Sequence, residues 1–137
     1  MVAPVTPDAL PESARERIDA ALTPAAVFMF GSRVTGRATA TSDYDIAVLE
    51  STSSPDWMET RRLVTDLEDK LRAPVDLVLL KDASPILAMQ VLREGVLVAC
   101  RDADAVERFA VRTWTDYADL KHTRKPIEDR LMEASTT

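Results

Sequence analysis

Short apolar runs alternate along this chain with stretches whose apolar residues recur every three or four positions. Val27, Phe28, Met29 and Phe30 make one run, stopped by Gly31 and too short for a helix, so a buried strand is predicted over 27–30. Two more strands are predicted over 45–49 and 75–80. In the first, Ile46, Ala47, Val48 and Leu49 follow Asp45; in the second, Asp76 interrupts an otherwise apolar run from Val75 to Leu80. Between these two, Leu63, Val64, Leu67 and Leu71 form one stripe at helical spacing, with Arg61, Arg62, Asp66, Asp69 and Lys70 mostly off it. That predicts a helix over 57–72, which Pro74 prevents from continuing.

Proline and glycine punctuate the rest. Pro4, Pro7 and Pro11 leave 1–10 with little pattern, so these residues are expected to be a flexible arm leading into a helix over 11–22 that ends near Pro24. Ser84-Pro85 has the form of an N-cap followed by proline in the first turn, opening a helix to about Arg93 that Gly95 terminates before a last strand over 96–100. A final helix is expected from 104 to about 132, with Val106, Phe109, Ala110, Trp114, Tyr117 and Lys121 on one face and Pro126 kinking or ending it. Phe109, Trp114 and Tyr117 are expected to pack that helix onto the domain. The predicted order is α-β-β-α-β-α-β without repeats. It describes an α/β fold, a small mixed β-sheet flanked by helices, as a single domain over 11–137.

Composition narrows the function classes. With 46% apolar and 29% charged residues among 137, the chain has room for one real core and resembles neither a disordered nor a membrane protein. The 23 acidic against 17 basic residues leave a net charge of -6, a field that repels a polyphosphate chain, so long DNA or RNA is not the expected partner. A single cysteine, Cys100, excludes an internal disulfide. With His122 as the only histidine, no soft-ligand zinc cluster and no nucleophilic triad can be assembled. No window approaches the ~18 apolar residues of a membrane span, and the first ten residues carry no basic residue, so the expected location is the reducing cytoplasm. A hard-metal carboxylate site is the chemistry that remains.

The stretch from Phe30 to Ile46 carries the candidate. At one end a strand runs into Gly31-Ser32, where a residue without a side chain lets backbone approach a ligand and a hydroxyl stands beside exposed N–H groups, a turn suited to phosphate. At the other end Asp43 and Asp45 lie two residues apart at the mouth of a strand, so the pleat points both carboxylates to one face. Side by side they repel one another unless a cation sits between them, and Mg²⁺ prefers such oxygen ligands. Asp76 repeats the anomaly inside an apolar strand and would complete a three-carboxylate cluster if its strand pairs beside the second.

Gly31-Ser32, ten intervening residues, then Asp43-Tyr44-Asp45 resembles the signature of the polymerase-β-like nucleotidyltransferase superfamily, and Asp76 stands where that pattern supplies its third carboxylate. The short length, Leu92-Arg93-Glu94-Gly95 before the last strand and Tyr117-Ala118-Asp119-Leu120 on the final helix resemble its minimal nucleotidyltransferase (MNT) branch. Members of that branch are commonly the antitoxin half of bacterial toxin–antitoxin pairs whose toxin is a helical HEPN-type ribonuclease. The resemblance implies a nucleotidyltransferase-like fold and a site in which Gly31, Ser32 and Arg33 bind nucleotide phosphates. Asp43 and Asp45 would ligate one or two Mg²⁺ ions, and Asp76 would ligate metal or activate the acceptor. The activity implied is transfer of AMP from ATP to a hydroxyl of a HEPN-type toxin, in an oligomer with that toxin or with itself.

One departure is visible. Where relatives often place a second arginine two residues after Arg33, this chain has Thr35, with Arg37 two further along, which weakens triphosphate binding or passes the role to Arg37. Two alternatives stand beside the enzyme reading: a catalytically vestigial antitoxin acting by occlusion, and a small-molecule nucleotidyltransferase of the aminoglycoside type. The latter usually needs an extra acceptor-binding domain, for which this chain is short.

Overall fold

The computed structural model describes residues 4–39, 42–51 and 55–135. Its centre is a four-stranded mixed sheet made of β1 (Ala26–Phe30), β2 (Tyr44–Leu49), β3 (Val75–Leu79) and β4 (Val96–Cys100), in the order β3-β2-β1-β4. β1 runs antiparallel to both of its neighbours, while β2 and β3 are parallel and are joined through a helix, as a parallel pair requires. Each strand predicted from its apolar run is present. Leu80, predicted as the last residue of the third strand, instead begins a 3₁₀ turn over Leu80–Asp82.

Both faces of the sheet are covered, because alternate residues of the central strands are apolar on each side. Val27, Met29, Ile46 and Val48 face α1 (Glu12–Leu22) and α3 (Trp57–Leu71), meeting Ala14, Ile18, Leu63 and Leu67 in one core. Phe28, Phe30, Ala47 and Leu49 face the other way, towards α4 (Pro85–Glu94) and α5 (Ala103–Ser135), where they meet Val91 and Val106. The start of α4 is closed by a side chain, as expected at Ser84, whose Oγ accepts from the Leu87 N–H at 3.2 Å. Asp56 and Asp102 do the same for α3 and α5.

Three expectations are corrected. The segment 1–10 is not a loose arm in its described part: Val5 bridges to Leu97, the Thr6 N–H donates to the Leu97 carbonyl at 2.6 Å, and Leu10 is fully buried. The physical reason is that β4 ends the sheet and presents free backbone groups, while Leu10 fills the α1/α3 core. Pro126 does not end the last helix, which runs on to Ser135. On that helix Val106, Phe109 and Thr113 turn inward, with Phe109 against Phe28 at 6.4 Å between ring centroids, whereas Trp114 is 54% exposed, with the Arg93 guanidinium 5.6 Å from its ring centre. Thr113 has taken the inward position that the stripe assigned to Trp114.

Candidate active site

The end of the sheet where β1 finishes and β2 and β3 begin gathers the candidate residues. Asp45 is the second residue of β2; its cross-strand partner on β1 is Phe30 and its partner on β3 is Asp76. Because β2 and β3 are parallel and in that register, the side chains of Asp45 and Asp76 leave the sheet on the same face, the one covered further along by α4 and α5. Asp43 precedes the strand by one residue and shares its parity. The strand mouth is held by the Tyr44 N–H, which donates to the Pro74 carbonyl at 2.9 Å and so ties the start of β2 to the start of β3.

Gly31 meets this cluster directly. It adopts φ 79 and ψ -159, a conformation close to exclusive to glycine, and a Cβ at this position would lie 2.0 Å from the Asp45 Oδ2. The carboxylate of Asp45 therefore rests on the glycine backbone, and Ser32 follows at once. The loop expected after Gly31 begins with a single helical turn, α2 (Ser32–Thr35), closed by Gly36 in the left-handed region. The Val34 and Thr35 N–H groups both return to the Gly31 carbonyl, so those of Ser32 and Arg33 lie ahead of the first intrahelical bond and point out of the turn, as at any helix start. Ala40 and Thr41 of the loop lie outside the described residues.

Electrostatically the cluster is unbalanced. Burial, then the charge of Asp76, then that of Asp43, push the Asp45 carboxyl above its usual range. Among the described residues no three acidic, histidine or cysteine side chains are drawn together closely enough to hold a metal ion as they stand. Asp43 and Asp76 are the exposed members and Asp45 the held one. Asp45, whose charge burial and the two neighbouring aspartates oppose, fits a hard divalent cation, whose remaining oxygens would come from a neighbouring carboxylate, water and a triphosphate.

Arg33 takes a different place from the phosphate-facing one expected. Its Nε and Nη2 donate to the Ser42 carbonyl at 3.1 and 2.6 Å, and its guanidinium lies 3.8 Å from the centre of the Tyr44 ring. Tyr44 stands between the two aspartates but on the opposite face, packed with the α1/α3 core. That partnership went unseen in the sequence, although a signal was available: in a strand of period two, a tyrosine between two aspartates must face away from them. Arg37 is exposed, and its N–H closes the turn on the Ser32 carbonyl.

Carboxylates at the mouths of two parallel strands, with a glycine turn laid against one of them, suit the handling of a nucleoside triphosphate, and nucleotidyltransferase is the class this arrangement defines. Over residues 14–104 the chain matches the family "Polymerase beta, Nucleotidyltransferase", and it belongs to that family. It is 36% identical over 106 residues, 77% of this chain and 75% of the relative, to the protein adenylyltransferase MntA of Shewanella oneidensis. Among solved structures it is similar to a toxin–antitoxin crystallised with AMP-PNP, with a TM-score of 0.79 and 32% identity over 90% of this chain and 99% of that one. It is also similar to a chain of the complex of tri-AMPylated Shewanella oneidensis HEPN toxin with MNT antitoxin, with a TM-score of 0.69 and 29% identity over 88% of this chain and 98% of that one. Among the described residues, no helix is long and apolar enough to cross a membrane.

Proposed function

We propose that this protein is an antitoxin that transfers AMP from ATP to a hydroxyl of a HEPN-type toxin, with Asp43, Asp45 and Asp76 as the catalytic carboxylates and Gly31-Ser32 as the phosphate turn. The observation that carries the proposal is the contact of the Asp45 carboxylate with the Gly31 backbone, with Asp76 opposite on β3. It brings a place for phosphate and a place for cations within one side chain of each other. The likeness to MntA and to the AMPylated toxin complex supports the choice of nucleotide and acceptor.

In the transfer, the acceptor oxygen attacks the α-phosphorus, the bond from that phosphorus to the bridging oxygen breaks, and pyrophosphate leaves. The N–H groups of the turn and the Ser32 hydroxyl bind and orient the phosphates. Asp43 and Asp45 would hold Mg²⁺, with Asp76 completing the set or taking the acceptor proton. Bound there, Mg²⁺ supplies neutralisation of the triphosphate and of the charge that develops on the transferred group. Arg33 keeps donors not used by Ser42.

The test mixes the purified protein, ATP labelled in its α-phosphate, Mg²⁺ and the product of the neighbouring gene. Label should appear on the partner and vanish with Asp43→Asn or Asp45→Asn while folding stays intact. Absence of label with ATP and every other nucleotide tried would remove the enzyme reading. Neutralisation of the toxin that survives both substitutions would instead favour occlusion.

A further inference from the structure

The geometry points to Arg33 and Tyr44 as a positioning pair that sets the Asp43–Asp45 segment from behind, rather than to Arg33 as a ligand of the nucleotide. This inference rests on the adenylyltransferase reading for its chemistry but not for its structural content. The guanidinium spends Nε and one Nη2 N–H on the carbonyl of Ser42, the residue immediately before Asp43. It also lies over the ring of Tyr44, the residue immediately after, at 3.8 Å. Both neighbours of Asp43 are thus held by one planar group whose fork is rigid.

Other contacts hold the two ends of this segment rather than Asp43 itself, the Tyr44 N–H donating to the Pro74 carbonyl at 2.9 Å. Ser42 closes a small turn, its N–H donating to the Thr39 carbonyl at 3.1 Å and its Oγ accepting from the Thr39 N–H at 2.8 Å. Beyond it the backbone enters β2 only at Tyr44. Asp43 lies outside the strand and is exposed, so the ladder does not fix it. Arg33 itself is fixed by α2, the turn that begins at Gly31 and Ser32. The pair therefore links the phosphate turn to the first carboxylate through the back of the sheet, so that the two halves of the site keep a constant separation. The Tyr44 ring packs with the α1/α3 core, on the face opposite to Asp45 and Asp76, and it is this ring that the guanidinium lies over.

The test is a small set of variants of the full-length protein with its toxin partner. Arg33→Lys keeps the charge and loses the fork; Tyr44→Leu loses the ring face; Tyr44→Phe keeps it. Arg33→Lys and Tyr44→Leu should each lower kcat for toxin labelling at saturating Mg²⁺ and ATP by about 10- to 100-fold, the range for partners that orient metal ligands. The KM for ATP should stay near wild type. The double variant should be no worse than the poorer single, as for residues acting as a unit. Tyr44→Phe should match wild type, which a merely bulky role for the phenol would not require. Hydrogen exchange should quicken at the amides of Asp43 and Tyr44 and remain unchanged at Val48 and Leu49.

Binding of Mn²⁺ with a non-hydrolysable ATP analogue, read by spectroscopy without turnover, should weaken in the same two variants. A rise in KM for ATP confined to Arg33→Lys, with Tyr44→Leu labelling the toxin as wild type does, would overturn the inference and return Arg33 to the phosphates. If wild type labels nothing yet binds Mn²⁺, and both variants bind it less well, the positioning pair stands and the transferase reading falls. If wild type labels the toxin and both variants match it in labelling and Mn²⁺ binding, the reverse holds. Should Arg33→Lys not fold, the contrast of Tyr44→Phe with Tyr44→Leu carries the same decision.

Discussion

Substituting Gly31 by alanine separates the shape of the phosphate turn from the placing of a carboxylate, and Gly36 is the control. Both glycines have positive φ, 79 and 81, so alanine is strained at either. At Gly36 the backbone is in the left-handed helical region and a Cβ meets nothing within 4 Å, so the cost is that of the conformation alone, about 1–2 kcal/mol. At Gly31 the backbone lies outside that region and the strain is about 1–3 kcal/mol. In addition the new methyl would sit 2.0 Å from the Asp45 Oδ2. To recover even 3.0 Å the carboxylate must withdraw by about 1 Å, and it can, since it is the end of a side chain.

The stability cost of the clash itself is therefore small, while the displacement falls on the group expected to hold the metal. A misplacement of about 1 Å costs on the order of 100-fold in rate, or about 2.7 kcal/mol of transition-state stabilisation. Urea unfolding and toxin labelling, measured on both variants, should give comparable losses of stability but a loss of activity near 100-fold for Gly31→Ala only. Equal activity in the two variants, or equal loss in both, would refute the link between the Gly31 contact and the chemistry.

Two further outcomes follow from named contacts. The folded-state pKa of Asp45 lies above its unfolded value, so its contribution to stability is fully present below about pH 3.9 and is lost as pH rises through the raised folded value. Without divalent cations, Asp45→Asn should thus unfold at higher urea than wild type at pH 7, with the gain disappearing towards acid pH; a less stable variant at pH 7 would mean the carboxylates do not oppose one another. Leu67→Ala, at a fully buried position on α3, should cost about 2–5 kcal/mol, and a loss under about 1 kcal/mol in the same urea titration would contradict the tight α1/α3 core.

The strands were legible because each is an apolar run ended by a residue that cannot continue it, as at Gly31 after Phe30. Asp76 was legible as an anomaly for the same reason. Register was not: nothing in the residues of β2 or β3 alone says that Asp45 pairs with Asp76, which depends on the length of α3 and its return. The 5–10 segment was misread because its hold is mainly a backbone pairing with the sheet margin, which side-chain patterning does not report. Trp114 was misplaced because helical periodicity leaves adjacent positions nearly equivalent, and packing chose Thr113. Arg33 was assigned by its neighbours in sequence, whereas its partners lie nine and eleven residues on, at Ser42 and Tyr44.

Asp43 and Asp76 stand exposed on the rim of the sheet, with Asp45 half-buried between them and Gly31. Carboxylates exposed on a rim can be reached by a bulky folded substrate as readily as by a small one, and by water just as readily. A docked surface that brings the hydroxyl to them also displaces that water, so selectivity for the right acceptor and protection of the nucleotide from hydrolysis become one event.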